Sequence, residues 1–456
     1  MIIISIPYIN NNFVFQQAKK QDDYWQEFRL DYSQKFRNFP TELLNDRTII
    51  TLRNKKEDGN DRFNLKEKLD FYLKLTSEKG CFCDIEIDEV SKHNISTIDK
   101  SHLIISYHDH SATLDYDKIK KIIIKSCSIQ AKYLKIALPI SKYSDFNRIS
   151  QLINLANKPV IFAGLGDNGK LGRILYKHLG AAGTFIGILG HFTSKQQLTS
   201  DESELFRLDS ITTNTQILGI IGGEQVKKSI GINYYNQLFS EKHKNAIYLP
   251  FVTNDLDDFL NWIESSNLIF YGFSITMPFK DKFLSNEIKQ TINLYLPVSK
   301  EFYNSDLTAF KAAKKELNIK NNESVLILGS GATAKTALIA FGASKNVFVS
   351  SRNELNGTRL ANKNKAEFIS IESLNDRKFK ILINCTPLGS KNEDLLEIIK
   401  IGLPDKVIEL TYRQKNTLLI NHCIENDIKY IDGKRFWFLQ AIFQEKKILE
   451  SIDSKE

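Results

Sequence analysis

No apolar run in this sequence approaches the ~20 residues that a helix needs to cross a bilayer, which argues against an integral membrane protein. The N-terminal MIIISIPY has neither a charged flank nor a cleavage site, so it reads as a first strand rather than a targeting segment. The five cysteines (Cys81, Cys83, Cys127, Cys385 and Cys423) contain no CxxC, and the eight histidines contain no HxxxH or HExxH. Neither a metal site nor a disulfide framework is expected, and reduced thiols point to the cytoplasm. The net charge is +8, yet no basic block with interleaved aromatics occurs. Nucleic acid is therefore not an expected partner, whereas anionic small molecules are. Nothing in the sequence separates a monomer from a homodimer.

What is present is an alternation. The 456 residues exceed what one core organises, so more than one domain is expected. Up to about residue 190, short apolar segments alternate with longer amphipathic ones. The segments predicted as strands are IIISI (2–6), WQEFRLDY (25–32), TIITLR (48–53), CFCDIEID (81–88), HLIISYHD (102–109), YLKIALPI (133–140), PVIFAGLGD (159–167) and GTFIGIL (183–189). Between them lie helix-like stretches such as NLKEKLDFYLKLTSEKG. Eight strands alternating with helices predict an α/β fold with a closed (β/α)8 barrel, an open doubly wound sheet being the alternative.

Side chains alternate between faces along a strand. In EFRLDY, Glu27, Arg29 and Asp31 share one face; in DIEID, Asp84, Glu86 and Asp88 do. Arg53 ends TLR, His108 sits in SYHDH, and Lys135 is the one charge in YLKIALPI. The apolar faces must meet helices, so the charges are expected to point into the barrel and converge at its C-terminal end. A lysine, a histidine and two arginines there suit an imine-forming amine, a proton shuttle and a carboxylate clamp.

In order and strand placement, EFRLD, TLR followed by Glu57, DIEID, SYHD, LKIA and the Gly-rich end of strand seven before Arg173 resemble the type I 3-dehydroquinate dehydratases. The resemblance implies Lys135 as the Schiff-base lysine and His108 as general acid/base oriented by Glu57. It further implies that Ser5, Glu27, Arg29, Arg53 and Arg173 hold the substrate. Two departures stand out: the family's Ser-Ala-Pro-Gly-Gln lid is matched by Thr193-Ser-Lys-Gln-Gln197, and Gly172 replaces a serine. Gln197 is the lid's candidate substrate contact.

A polar stretch, RLDSITTNTQ (207–216), is the expected linker. Beyond it, SVLILGSGATAKTALIAFGA reads as strand, Gly329-x-Gly331-x-x-Ala334 turn and helix, the pattern that brings backbone close to a pyrophosphate. The next strand, NVFVSSR, ends in Ser351-Arg352 with no acid for ribose hydroxyls, which favours NADP over NAD.

YGFSITMPFK, QTINLYLP, FYNSD, INCTPLGS, VIELTYRQKNTLL and DGKRFWFLQAIFQ together resemble the shikimate dehydrogenases. That likeness implies Lys280 and Asp306 as the catalytic pair, with Ser229, Thr276, Asn293, Tyr412 and Gln440 on the substrate. Gly329, Ser330, Gly331, Ala332, Thr333, Ser351, Arg352, Thr386, Leu410 and Gly433 are implied around the nucleotide. One departure is Ser229-Ile-Gly231 where the family has Ser-x-Ser.

The expected organisation is a barrel over 1–208, a substrate lobe over 216–315 to which 434–456 return, and a Rossmann lobe over 316–433. The expected activity is that of a bifunctional dehydroquinate dehydratase–shikimate dehydrogenase. The rival expectations are a half drifted in substrate, for example toward quinate, and a non-catalytic binding or scaffold protein.

Overall fold

The computed structural model describes residues 1–453 except 56–58, 60–62, 91–94, 96–97, 281, 283–290, 343–345, 376 and 412–414. By packing, the chain falls into two compact units. One comprises Met1–Ile217, Ile230–Leu249 and Asp255–Ile269; the other comprises Leu218–Ser229, Pro250–Asn254 and Phe270–Glu456.

The first unit holds the expected barrel. Strands β1 (Ile2–Pro7), β2 (Trp25–Arg29), β3 (Thr48–Thr51), β4 (Phe82–Glu86), β5 (Leu103–His108), β6 (Tyr133–Pro139), β7 (Val160–Leu165) and β8 (Gly183–Gly187) close in that order. The pairs are parallel, and β8 returns to β1 with Ile3 opposite Phe185. All C-terminal ends therefore lie at one mouth.

Two of the predicted strands stop early. Leu30–Tyr32 forms a 3-10 turn and Ile87–Val90 a short helix, so Asp31 and Asp88 leave the faces that the alternation gave them. Asp31 instead turns back to pair with Arg29, and Asp88 is exposed.

The interior is layered, each layer drawn from alternate strands as barrel geometry requires. Ile3, Ile49, Ile104 and Ile161, one from each odd strand, pack together at the bottom. Trp25, Phe82 and Tyr133 from even strands stack beside them, with ring centroids 5.6 and 5.7 Å apart. Two residues further along, the interior turns polar: Ser5, Thr51 and Ser106 on odd strands, and Glu27, Asp84 and Lys135 on even ones, are all buried.

The same unit includes the helices Ile230–Glu241 and Leu256–Ser265. Trp262, fully buried, stacks on Phe146 at 5.0 Å and lies 5.3 Å from Tyr143. The helix Ser144–Asn154 has no side-chain cap from its own N-cap residue. Asp258 supplies one, accepting from the amides of Tyr143 at 2.6 Å and Ser144 at 3.3 Å. A carboxylate there satisfies orphan amides and complements the helix dipole.

Two further sheets follow. β9 (Gln216–Gly222), β10 (Ala246–Val252), β11 (Phe270–Ile275), β12 (Leu294–Leu296) and β13 (Glu301–Tyr303) take the order β10-β9-β11-β12-β13. β14 (Val325–Leu328), β15 (Val347–Ser350), β16 (Glu367–Phe368), β17 (Ile381–Asn384), β18 (Lys406–Glu409) and β19 (Lys429–Ile431) take the order β16-β15-β14-β17-β18-β19, all parallel. The order reverses between β14 and β17, the switch point at which such sheets bind ligands. The long helix Gly433–Asp453 closes the chain, with Ser451 Oγ bonded to the carbonyl of Tyr271 on β11 at 3.2 Å.

All five cysteines are unpaired. Among the described residues no helix is long and apolar enough to cross a membrane, and no group of three metal-ligating side chains occurs.

Trp262 fills a site bounded by the rings of Tyr143, Phe146 and Phe259, so Trp262→Ala leaves a large cavity. Urea unfolding should show a loss of about 3–5 kcal/mol, whereas Phe at this position should recover part of it.

Candidate active sites

Lys135 lies on β6 with its Nζ 2.8 Å from Glu27 Oε1 on β2 and 2.9 Å from Asp84 Oδ2 on β4. The ring of Phe185 on β8 sits 4.2 Å from the same nitrogen. Side chains from four alternate strands meet only inside a barrel, so the lysine is an interior residue and not a strand-end charge. Each carboxylate is held in turn by a neighbouring hydroxyl layer. Ser5 Oγ donates to Glu27 Oε2 at 2.5 Å, Thr51 to Glu27 Oε1 at 2.9 Å, and Ser106 to Asp84 Oδ1 at 2.5 Å.

Arg53 follows β3 and is almost completely buried. It donates to Asp84 Oδ2 at 2.7 Å, to Ser106 at 2.8 Å and to Glu86 at 3.3 Å. Burial alone would raise the pKa of Asp84, but Arg53 and Lys135 outweigh it and hold the carboxyl well below its usual range. Glu27 follows the same logic, with Lys135 and then Arg29 overcoming desolvation.

His108 ends β5 opposite Ala137, two residues beyond the pair of Ser106 with Lys135. Desolvation first, then the charges of Arg53 and Lys135, pushes its pKa well below that of an ordinary imidazole. It is therefore neutral at pH 7, the state in which a ring nitrogen accepts a proton.

The remaining barrel residues occupy the mouth. Arg29 makes two 2.9 Å bonds to Asp31. Arg173 bonds the carbonyls of Gly164 at 3.1 Å and Phe185 at 3.0 Å, and Ser194 Oγ at 3.4 Å. Among the described residues these acceptors are all neutral, and burial, only partly offset by the charge of Glu27, lowers the guanidinium to about 9. Thr193 Oγ1 donates to Ser5 at 2.8 Å, while the buried Gln197 accepts from the amide of Thr193 at 2.9 Å. The altered lid segment thus lies over the site. Glu57 falls outside the described residues.

In the second unit, Lys280 Nζ is 2.6 Å from Asp306 Oδ2. Asp306 is in the first turn of the helix Ser305–Glu316, where the dipole favours an anion. Asn293 Nδ2 donates to its other oxygen at 2.9 Å, and Asn293 Oδ1 accepts from the amide of Ser305 at 2.7 Å. Thr276 precedes Lys280 on the segment after β11, its amide bonded to Ile221 at 3.0 Å. Ser229 stands at the start of the helix Ile230–Glu241.

At the switch point, Gly329 has φ +114°, a conformation that L side chains rarely adopt, and a Cβ on Gly331 would enter open space. Gly331 caps the helix Ala332–Phe341 without any side-chain hydrogen bond, so the first amides, beyond Ser330 and through Ala332 and Thr333, keep their donor capacity. Ser351 Oγ is engaged with Asn353 O at 2.7 Å, and Arg352 beside it is exposed. Thr386 is fixed by Asn384, and Leu410 follows β18 with its amide on Asn384 O at 3.2 Å. Gly433 is buried at the start of the last helix. These residues fit a dinucleotide: a turn that tolerates close backbone approach, an uncapped helix N-terminus and no acid at the end of β15.

A model of the type I 3-dehydroquinase family matches residues 16–203, and one of the shikimate dehydrogenase substrate binding domain matches residues 221–289. The 3-dehydroquinate dehydratase of Methanocaldococcus jannaschii is 31% identical over 196 residues, covering 40% of this chain and 86% of that protein. The shikimate dehydrogenase (NADP(+)) of Pyrococcus furiosus is 31% identical over 248 residues, covering 50% of this chain and 88% of that protein. This chain belongs to both families. The chloroplastic bifunctional 3-dehydroquinate dehydratase/shikimate dehydrogenase of Arabidopsis thaliana spans both halves, 25% identical over 440 residues, with 87% of this chain and 72% of that protein covered.

The 3-dehydroquinase half brings Ser5, Glu27, Arg53, Lys135 and the lid into one hydrogen-bonded set. Asp84 and Ser106 belong to that set as well, and only the alternation in DIEID and SYHD hinted at them. In the shikimate dehydrogenase half, Tyr412 lies outside the described residues, and Gln440 is half-buried on the last helix. One turn further on, the buried Gln444 ties the site together. It donates to Ser305 Oγ at 2.9 Å and to the carbonyl of Asn293 at 3.3 Å, and accepts from Ser274 Oγ at 2.7 Å. The i, i+4 spacing from Gln440 was the one available signal.

Gln444→Leu removes these three bonds and leaves buried hydroxyls behind. The expected cost is about 1–3 kcal/mol, read as a lower urea midpoint, with a smaller loss for Gln444→Glu at low pH, where a protonated carboxyl retains one donor.

Proposed function

We propose that the barrel dehydrates 3-dehydroquinate through an imine on Lys135 and that the second half reduces the resulting 3-dehydroshikimate to shikimate with NADPH. The observation that carries this reading is the Lys135 amine held between two buried carboxylates, within the field of a neutral His108. The functional boundaries follow as 1–208 for the barrel, 216–315 with 434–456 for the substrate lobe, and 316–433 for the nucleotide lobe.

Attack on a ketone requires an unprotonated amine, so Lys135 passes a proton to neutral His108, which returns it to the carbinolamine hydroxyl as that group leaves. The carbinolamine then loses water, and nitrogen regains positive charge as an iminium. Glu27 and Asp84, already fixed by Ser5, Thr51 and Ser106, stabilise that charge without reorganising. His108 takes the proton α to the iminium carbon, which forms an enamine. The same proton, returned to the departing hydroxyl, lets water leave. Hydrolysis of the imine frees product and amine. Arg173, whose hydrogen-bond acceptors among the described residues are all neutral, suits the substrate carboxylate, and Arg53 and Arg29 the remaining oxygens, with Gln197 closing from the lid.

In the second half, the dinucleotide, when bound, supplies a hydride to the ketone. Lys280 then donates a proton to the developing alkoxide and is recharged through Asp306, which Asn293 keeps oriented. Arg352 is exposed at the strand end where a 2′-phosphate would sit, and relatives such as the Pyrococcus furiosus protein are named for NADP(+).

Borohydride added with 3-dehydroquinate should leave a reduced adduct on Lys135, detected by mass spectrometry; an unmodified Lys135 after full turnover would sink the imine route. His108→Ala should still form the adduct while dehydration slows by about 10²–10⁴-fold. Because the His108 pKa is depressed, the base form persists on acidification. The acid limb of kcat/KM should therefore fall below the usual imidazole value of about 6.5; a limb above it would assign the base elsewhere.

Arg352→Ala should raise KM for NADPH about tenfold or more, since a charge-assisted contact to phosphate is lost, and leave KM for NADH nearly unchanged. Equal losses with both cofactors would assign Arg352 to the fold alone.

A further inference from the structure

The helix Leu65–Lys79 lies outside the barrel, and its Lys66 and Lys74 are exposed. Lys68 departs from that pattern, because it is 0% exposed. Its Nζ donates to Glu86 Oε2 at 2.5 Å and to Glu89 Oε2 at 2.7 Å. Glu86 faces both ways, since its Oε1 accepts from Arg53 NH1 at 3.3 Å and from the amide of Asn54 at 3.2 Å. Asn54 Nδ2 closes the ring by donating to Glu89 Oε1 at 3.2 Å.

One turn along the same helix, the Tyr72 oxygen accepts from the amide of Leu52 at 2.6 Å. The pairing of β3 with β4 ends at Thr51 opposite Asp84, so residues 52–54 leave the barrel ladder just where Arg53 turns inward. The helix replaces the missing ladder: Tyr72 fastens residue 52, and Lys68, through Glu86, fastens residues 53 and 54. Burial alone would raise the pKa of Glu86, but Lys68 and then Arg53 outweigh it and bring the carboxyl to about 2. Glu86 is thus an anion shared between two buried cations, and neither Lys68 nor Glu89 is used in the imine chemistry.

We propose that Lys68 is a positioning residue for substrate binding in the barrel: by anchoring Glu86 it sets the direction in which Arg53 presents its guanidinium. The proposal rests on the reading that Arg53 contacts the substrate. A buried ammonium with two carboxylates could serve stability alone, and that role would leave binding and turnover parameters of folded enzyme in place.

The test is steady-state dehydration of 3-dehydroquinate by the full-length chain, with folding checked by circular dichroism. Lys68→Met should raise KM about tenfold or more with kcat within about twofold, as expected when a binding group loses its orientation. Lys68→Arg, which can still bridge two carboxylates, should recover most of the loss. In an Arg53→Ala background the same Lys68→Met change should add less than about twofold, because the two residues act on one contact. An equal rise in both backgrounds, or an unchanged KM for Lys68→Met beside a raised KM for Arg53→Ala, overturns the proposal alone. An unchanged KM for Arg53→Ala overturns the reading beneath it, and the proposal with it. If Lys68→Met does not fold, the charge-balanced Lys68→Met/Glu89→Gln chain takes its place, with the same outcomes.

Discussion

The barrel half is organised around a buried charge that must never be left unpaired. An ammonium removed from water is tolerated only where anions and hydrogen bonds replace its solvation. Lys135 obtains both from Glu27 and Asp84, and those carboxylates oblige the next layer to be Ser5, Thr51 and Ser106. Arg53 then balances Asp84, Glu86 balances Arg53, and Lys68 balances Glu86. Beneath this polar stack the four isoleucines of the odd strands close the barrel floor. Parallel strands put every polar layer toward the same mouth.

The second half solves its positioning problem with fewer charges. The Lys280–Asp306 pair is less deeply buried, with the lysine side chain 14% exposed. Its geometry is set by neutral donors and acceptors: Asn293, Ser305 and Gln444. A helix N-terminus contributes the remaining stabilisation of Asp306. The difference follows from the chemistry proposed for each half. A proton donor to an alkoxide works near solvent, whereas an amine that becomes an iminium needs counter-charges already in place.

Much of the barrel was legible because a strand's period of two survives in sequence. Polar residues at alternate positions of EFR, DIE and LKIA announced an interior face, and the structure brings Glu27, Asp84 and Lys135 together there. The period carries no stop signal, however. Asp31 and Asp88 were placed on that face by alternation, yet the chain has already turned into a 3-10 segment or a short helix. Contacts between layers were not legible either, since nothing local distinguishes Lys68 from the exposed lysines of its helix. Gln444 was hidden for a related reason: its partners on β11, before β12 and at the next helix start lie 139 to 170 residues away in sequence.

The same buried balance explains why imine chemistry suits this interior. On the route proposed above, the nitrogen of Lys135 is a cation as the resting ammonium and a cation again as the iminium. Glu27 and Asp84 therefore meet the same net charge at both ends of the step, and their supporting hydroxyls need not move. The Phe185 ring, 4.2 Å from the nitrogen, presents its face to the same position. Only the short-lived neutral amine leaves the carboxylates without a partner, and that is the moment at which bond formation to the ketone restores the charge. On that route, the arrangement that holds the lysine also holds the iminium, so the carboxylates and their hydroxyl partners serve both states without being rebuilt.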